Sequence, residues 1–294
     1  MRKRISILMV LLLFCTGCSS SETENSQEDV NEPPPVVEVT DFTEHGKFSD
    51  PTPEPEPPAG AEIEDGEPLP LDGRLICIDP GHCVTPLTGK GYTDLVSPLS
   101  TETKPLYTAG TTGKNMTEEQ LNLTVGLKLR DYLEELGAEV IMTREVSEIT
   151  ITGQERCRIP NKAGADVCIR IHADGSTSTS ANGVSVLTPA GDLLGTPSIV
   201  DDSTRLGQLM VEAVSKETGA KNRGIMPRSD MTGFNFSEVP TVLIEMGFMT
   251  NPEEDALLET DEYQDKIVVG IANSLLQWYP RQHPWNQNAQ LHFY

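Results

Sequence analysis

Apolar residues fall along this chain in two rhythms. Short unbroken runs rich in valine and isoleucine read as strands buried on both faces, and longer stretches with apolar residues every third or fourth position read as helices. Leu75-Ile76-Cys77-Ile78, Glu139-Val140-Ile141-Met142-Thr143-Arg144, Val167 through Asp174, Gly183-Val184-Ser185-Val186-Leu187 and Pro240 through Phe248 are of the first kind. Leu121, Val125, Leu129, Leu133 and Leu136 make one face of a helix that starts at the capping box Thr117-Glu118-Glu119-Gln120 and stops at Gly137. Further helices are predicted over 154–163, over 203–218 before Gly219, and over 263–279.

Strands alternating with helices in the order β-α-β-α-β call for right-handed crossovers between parallel neighbours. The expected fold class is therefore α/β, a single domain with a mostly parallel, twisted central sheet flanked by helices. Residues 83–115 break the pattern as a long irregular stretch rich in Gly, Thr and Pro. A loop of that length is expected to be functional, here as part of a substrate groove.

Both ends of the chain lack these rhythms. Arg2-Lys3-Arg4 before an apolar run to Phe14 has the form of a signal peptide. Cys15-Thr16-Gly17-Cys18 resembles the lipobox of bacterial lipoproteins, with Cys15 where Leu is usual, which implies a lipid anchor at Cys18. Cleavage without lipid is the alternative. Residues 19–72 are acidic and Pro-rich, with Lys47 the only Lys or Arg among 19–70, and so read as a disordered tether that holds the domain away from a membrane. The division expected is signal 1–18, tether 19–72, catalytic domain 73–280 and tail 281–294. The protein is placed outside the cytoplasm, on the outer face of the membrane if lipidated and secreted if not.

A net charge of -23 without a basic stripe speaks against nucleic acid, and none is expected as a partner. Cys77, Cys83, Cys157 and Cys168 show no CxxC spacing, so no zinc ribbon is indicated. Cys77 and Cys168 lie in strands, leaving Cys83 with Cys157 as the pair open to a disulfide.

The candidate chemistry sits at strand ends. The first strand stops at Asp79-Pro80-Gly81-His82 and the third at His172, two imidazoles expected side by side. The last strand carries Glu245 in an apolar run, an expensive place for a carboxylate without a partner or a function. Two His, Glu245 and Glu118 at a helix start describe three ligands and a base, the makings of an open catalytic zinc.

Asp79-Pro80-Gly81-His82, Glu118 before Asn122-Leu123, Arg156 and Asn161 before Ala165-Asp166, Ile171-His172-Ala173, and Val242 through Phe248 followed by Asn251 together resemble the zinc-dependent N-acetylmuramoyl-L-alanine amidases of the amidase-3 family, over residues 75–279. The resemblance implies one zinc held by His82, Glu118 and His172, Glu245 as the catalytic carboxylate, and cleavage of the amide between N-acetylmuramic acid and L-alanine in peptidoglycan. It departs from the family at Cys83-Val84, where glycines are usual, and at Arg170, where Ser is common. Cys83 could compete as a ligand.

Several residues carry two readings. Arg156 fits a carboxylate of the peptide stem or an internal ion pair. Asp79 fits an imidazole-orienting group or a turn residue, Glu119 complements the helix dipole, and Trp278 and Tyr279 pack. His45, His283 and His292 are expected to be solvated. Two other functions stay open: a zinc peptidase cutting within stem peptides, although HExxH is missing, and a non-catalytic wall-binding lipoprotein. Whether an activator protein is needed is left open.

Overall fold

In the computed structural model, which describes residues 68–84, 93–106 and 110–279, the predicted strands line up in one sheet. The elements run β1 (Leu75–Pro80), β2 (Thr93–Leu95), β3 (Thr103–Pro105), α1 (Glu118–Glu135), β4 (Glu139–Met142), α2 (Gly153–Ala163) and β5 (Val167–Asp174). There follow β6 (Val184–Pro189), α3 (Val200–Thr218), β7 (Asn222–Arg228), the single turn α4 (Thr232–Asn235), β8 (Thr241–Phe248), α5 (Pro252–Leu258) and α6 (Asp261–Trp278). Strand order is β4-β1-β5-β8-β6-β7, parallel at every pairing except β6 with β8. The signal, most of the tether, the tail, His45, His283 and His292 lie outside the described residues.

Local chemistry sets the helix ends. Thr117 accepts from the Gln120 N–H and the Gln120 side chain accepts from the Thr117 N–H, the reciprocal cap the sequence predicts for α1. Thr152 and Glu155 repeat it at α2, which ends on left-handed Gly164, and Gly219 ends α3 in the same way. Asn251 caps α5, its side-chain oxygen accepting from the Glu253 and Glu254 N–H groups.

Side chains alternate across each strand, so the sheet has two faces of different character. Ile76, Ile78, Val167, Ile169, Ile171, Val242, Ile244, Val184 and Val186 point into the main core, beneath α1, α3 and α6. Leu129 of α1 is fully buried there, and truncating such a residue to Ala costs about 2–5 kcal/mol. The opposite face is apolar only toward the strand starts, where Cys77 and Cys168 pack with Ala165 and Val239, and Leu187 and Leu243 pack with Phe234. Toward the C-terminal ends of β1, β5 and β8 the same face turns polar, with Asp79, Arg170, His172, Asp174 and Glu245. This is the open edge where α/β sheets take ligands.

Some expectations change. The stretch 83–115 is not irregular throughout, because β2 and β3 pair antiparallel within it. β7 and α5 had no strong apolar signature; β7 is an edge strand with exposed ends, and α5 is a short, capped turn. There is no disulfide among the described cysteines, Cys83 and Cys157 included. Burial instead pushes the Cys157 thiol up to about 12, and its Sγ contacts the Gly153 carbonyl. Trp278 and Tyr279 pack in the core as expected. No helix among the described residues is long and apolar enough to cross a membrane.

Candidate metal centre

His82 follows β1 by two residues and is the only described non-glycine residue with positive φ, at 59°. Such a backbone is uncommon outside glycine, and here its surroundings hold it. Two buried arginines hold it. Arg144 donates from Nε to the Pro80 carbonyl and from Nη2 to the Gly81 carbonyl, both at 2.9 Å. Arg156 donates from Nη1 to Pro80 at 2.8 Å and from Nη2 to His82 at 2.6 Å. Three consecutive carbonyls are thus pinned by guanidinium groups, and Gly81 leaves the room: a Cβ there would run into the His172 ring.

Asp79 anchors this clamp. Its Oδ1 accepts from Arg156 at 2.6 Å and from Thr143, and its Oδ2 accepts from Arg170 Nε at 2.7 Å. Burial alone would raise its pKa, but the two arginine charges and these hydrogen bonds hold the carboxyl well below the usual range. Among these hydrogen bonds none reaches an imidazole, so Asp79 acts in the turn and does not orient a histidine. Arg156 forms the internal ion pair. Glu119 does more than complement the helix dipole: it is 6% exposed and pairs with Arg144 at 3.1 Å.

Glu118, His82 and His172 come together from three separate elements. Glu118 Oε1 lies 3.0 Å from His82 Nε2 and 3.0 Å from His172 Nδ1, and the two rings meet edge to face at 4.9 Å. Glu118 is fixed on its other sides by the Thr111 N–H at 2.8 Å on Oε2 and by the Ala173 N–H and Asn122 amide on Oε1. Burial would raise its pKa, yet its hydrogen bonds with His172 and His82 hold it well below the carboxylate range. Burial pulls His172 down to about 4 against the pull of Glu118, which keeps the ring neutral at neutral pH. A neutral imidazole and an ionised carboxylate are the states a metal ligand needs.

The donor set fits a cation. The three ligand atoms lie within 4.8 Å of one another, and the other ring nitrogen of His172 is buried without a hydrogen-bond partner among the described residues. Two imidazoles and one carboxylate suit zinc and leave a coordination position open. Cys83 is not part of this cluster; it lines a neighbouring cavity.

Glu245 of β8 stands opposite His172 of β5 in register, and both line one cleft of about 520 Å³. Its Oε2 is buried with no hydrogen-bond partner among the described residues. Burial first, then the charges of Glu118 and Asp174, push its pKa well above the usual range, with Arg228 opposing. All four residues singled out from sequence therefore meet in one cleft.

Sequence reasoning missed Thr111, Arg144, Asp174 and Thr250, which hold or line the site. Arg144 carried a faint signal as a charge directly after an apolar strand; Thr111 carried none. The stretch 83–115 supplies Gly110 and Thr111 to the cleft, as a groove element would. Asn161, named among the motifs, is structural: it bonds the Phe236 carbonyl and the Glu238 N–H ahead of β8.

Residues 76–277 match the family model described as N-acetylmuramoyl-L-alanine amidase, Amidase_3. The chain is 28% identical over 220 residues to the N-acetylmuramoyl-L-alanine amidase Rv3717 of Mycobacterium tuberculosis, covering 71% of this chain and 89% of that one. It is 27% identical over 226 residues to a germination-specific N-acetylmuramoyl-L-alanine amidase of Bacillus subtilis, covering 72% and 82%. Among solved structures, the amidase Ami1 of Mycobacterium smegmatis superposes with a TM-score of 0.64 at 25% identity, over 71% of this chain and 97% of that one.

Proposed function

From the premise that this chain belongs to the amidase-3 family of N-acetylmuramoyl-L-alanine amidases, we propose that it is a zinc-dependent hydrolase of peptidoglycan in which His82, Glu118 and His172 hold the metal and Glu245 moves the proton. The observation that carries this reading is the convergence of two imidazoles and a carboxylate beside Glu245, whose Oε2 is buried without a hydrogen-bond partner among the described residues, in one cleft.

Zinc bound by these residues would supply a Lewis acid that polarises the scissile carbonyl. The protein's own part is proton transfer and positioning. Glu245 Oε2, which has no hydrogen-bond partner among the described residues, accepts a proton from the attacking water as the water oxygen bonds to the carbonyl carbon. The carbon–nitrogen bond then breaks, and Glu245 returns the proton to the departing amine of L-alanine. Thr111, Ala173 and Asn122 hold Glu118 in place, and Arg144 and Arg156 hold His82.

The N-terminal motifs complete the proposal. Residues 1–18 act as a lipoprotein signal, Cys18 carries the lipid, 19–72 tether the catalytic domain 73–280, and the enzyme works on the outer face of the membrane. Peptidoglycan is the partner, and any activator protein remains to be identified.

Digestion of purified peptidoglycan by the zinc-loaded protein, beside Glu245→Ala, with products read by mass spectrometry, tests this function. Stem peptides beginning with L-alanine, missing from the variant digest, are the expected result. Products cut within the stem would make it a peptidase. No release at all, with zinc bound, would make it a wall-binding protein.

A further inference from the structure

His82 and His172 line two cavities. The larger cleft has hydroxyl and acidic walls, including Thr111, Ser176, Thr177 and Asp174, and no lysine or arginine among its described residues. The second, of about 200 Å³, has Arg156, Arg170 and Lys104 in its walls, with Asp94. Asp79 is shared by the two arginines, and Lys104 Nζ donates to the carbonyl of Asp230, whose carboxylate pairs with Arg228, so four cations face three carboxylates and one positive charge is left over. That excess stands out in a chain carrying a net charge of -23.

Its donors are not all used. Arg156 is spent on Asp79 and on the carbonyls of Pro80 and His82. Asp94 is spent on the backbone and side chain of Gln154. Arg170 is 8% exposed and commits only Nε, to Asp79; Nη1 and Nη2 have no hydrogen-bond partner among the described residues. The guanidinium packs onto Gly233: a Cβ there would overlap Arg170 Nη1, so any larger residue would have to push the guanidinium aside. A buried guanidinium with its two terminal nitrogens unspent has the fork geometry that receives a carboxylate bidentately.

We propose that this cavity is a subsite for a carboxylate on the peptide side of the scissile amide, received by Arg170 with Lys104 beside it. The proposal rests on the amidase reading above. It gives the substrate a direction: the stem peptide lies toward Gly233 and the sugar toward the hydroxyl groups of Ser176 and Thr177. Arg170 thereby sets specificity without touching the reacting bond, favouring stems whose carboxylate is ionised over amidated ones.

The test is calorimetric titration of the full, zinc-loaded chain with a stem tripeptide beginning with L-alanine, and with the same peptide after its carboxylates are converted to carboxamides. A hydrogen bond to a charged group is worth about tenfold or more in affinity. The carboxylate form should bind the wild type tighter by about that factor, and the ratio should fall to about twofold or less in Arg170→Gln. Lys104→Gln, on the hairpin and away from the Asp79 network, should lower it by about threefold and stands in if Arg170→Gln does not fold. Equal binding of the two peptides by the wild type, or an undiminished ratio in the folded variants, overturns the subsite. Digesting peptidoglycan with the same preparation separates the two readings. Stem release without the ratio leaves the amidase and removes the subsite, whereas the ratio without release does the reverse.

Discussion

The Arg156 guanidinium donates to the backbone carbonyl of His82 at 2.6 Å, so the left-handed turn that presents the imidazole hangs on a buried side chain 74 residues away. Its other terminal nitrogen, Nη1, reaches Asp79 and the Pro80 carbonyl, so the anchor, the turn and His82 are tied together. A guanidinium can do this because its planar fork serves several acceptors at once; an ammonium cannot.

Replacing Arg156 by Lys should therefore give a folded protein with loosened His82. Zinc affinity, read by chelator competition, should fall by about 10–100-fold, the usual cost of losing a group that orients a ligand. Unchanged affinity in a folded Arg156→Lys protein would mean that the turn holds itself.

Glu245→Gln keeps the shape of the side chain and removes its base. Turnover should fall by about 10²–10⁴ while the protein still binds one zinc per chain, measured by metal analysis beside the kinetics. Loss of zinc together with activity would move Glu245 from proton transfer to metal binding.

Metal should also report through stability, since a ligand that binds only the folded state raises the melting temperature by mass action. Adding zinc to stripped protein should shift the wild type upward and leave His172→Ala nearly unmoved. A shift of equal size in both would assign the zinc to other residues.

Asp79 makes stability acid-sensitive. Its folded pKa lies below the unfolded value of about 3.9, so the native state holds on to the ionised form more strongly than the unfolded chain does. That contribution is complete above about pH 4 and is lost as pH falls below it. Urea midpoints taken between about pH 5 and pH 2 should drop more steeply for the wild type than for Asp79→Asn. Parallel curves would contradict the assignment.

At the N-terminus, labelling with radioactive palmitate should mark the wild type and not Cys18→Ala. An unlabelled wild type would leave a secreted enzyme without an anchor.

What could be read from sequence was what is local. Each of β1 and β5 announces itself by an apolar run and leads to its histidine, and Thr117 with Gln120 places Glu118 in the first turn of α1. The parallel order followed from the alternation of strands and helices. What could not be read was long-range. Nothing near Arg144 shows that its partners are the carbonyls of Pro80 and Gly81, and nothing near Arg170 shows that Gly233 makes room for it. The hairpin β2 and β3 was missed because three-residue strands of polar residues carry no apolar period. Arg156 had two readings until its partner was seen, because a buried arginine and a substrate-binding arginine look alike in one dimension.

The place of β8 in the sheet bears on when the enzyme becomes active during its own maturation. It is the last strand along the described chain, yet it lies between β5 and β6 and pairs with both. Without it, the sheet consists of two separate ribbons, β4-β1-β5 and β6-β7. A chain emerging N-terminus first thus presents His82, Glu118 and His172 before Glu245, and the strand that brings Glu245 is the one that joins the halves. On the proposed mechanism, hydrolysis waits until the fold is closed, because one strand completes both the sheet and the cleft.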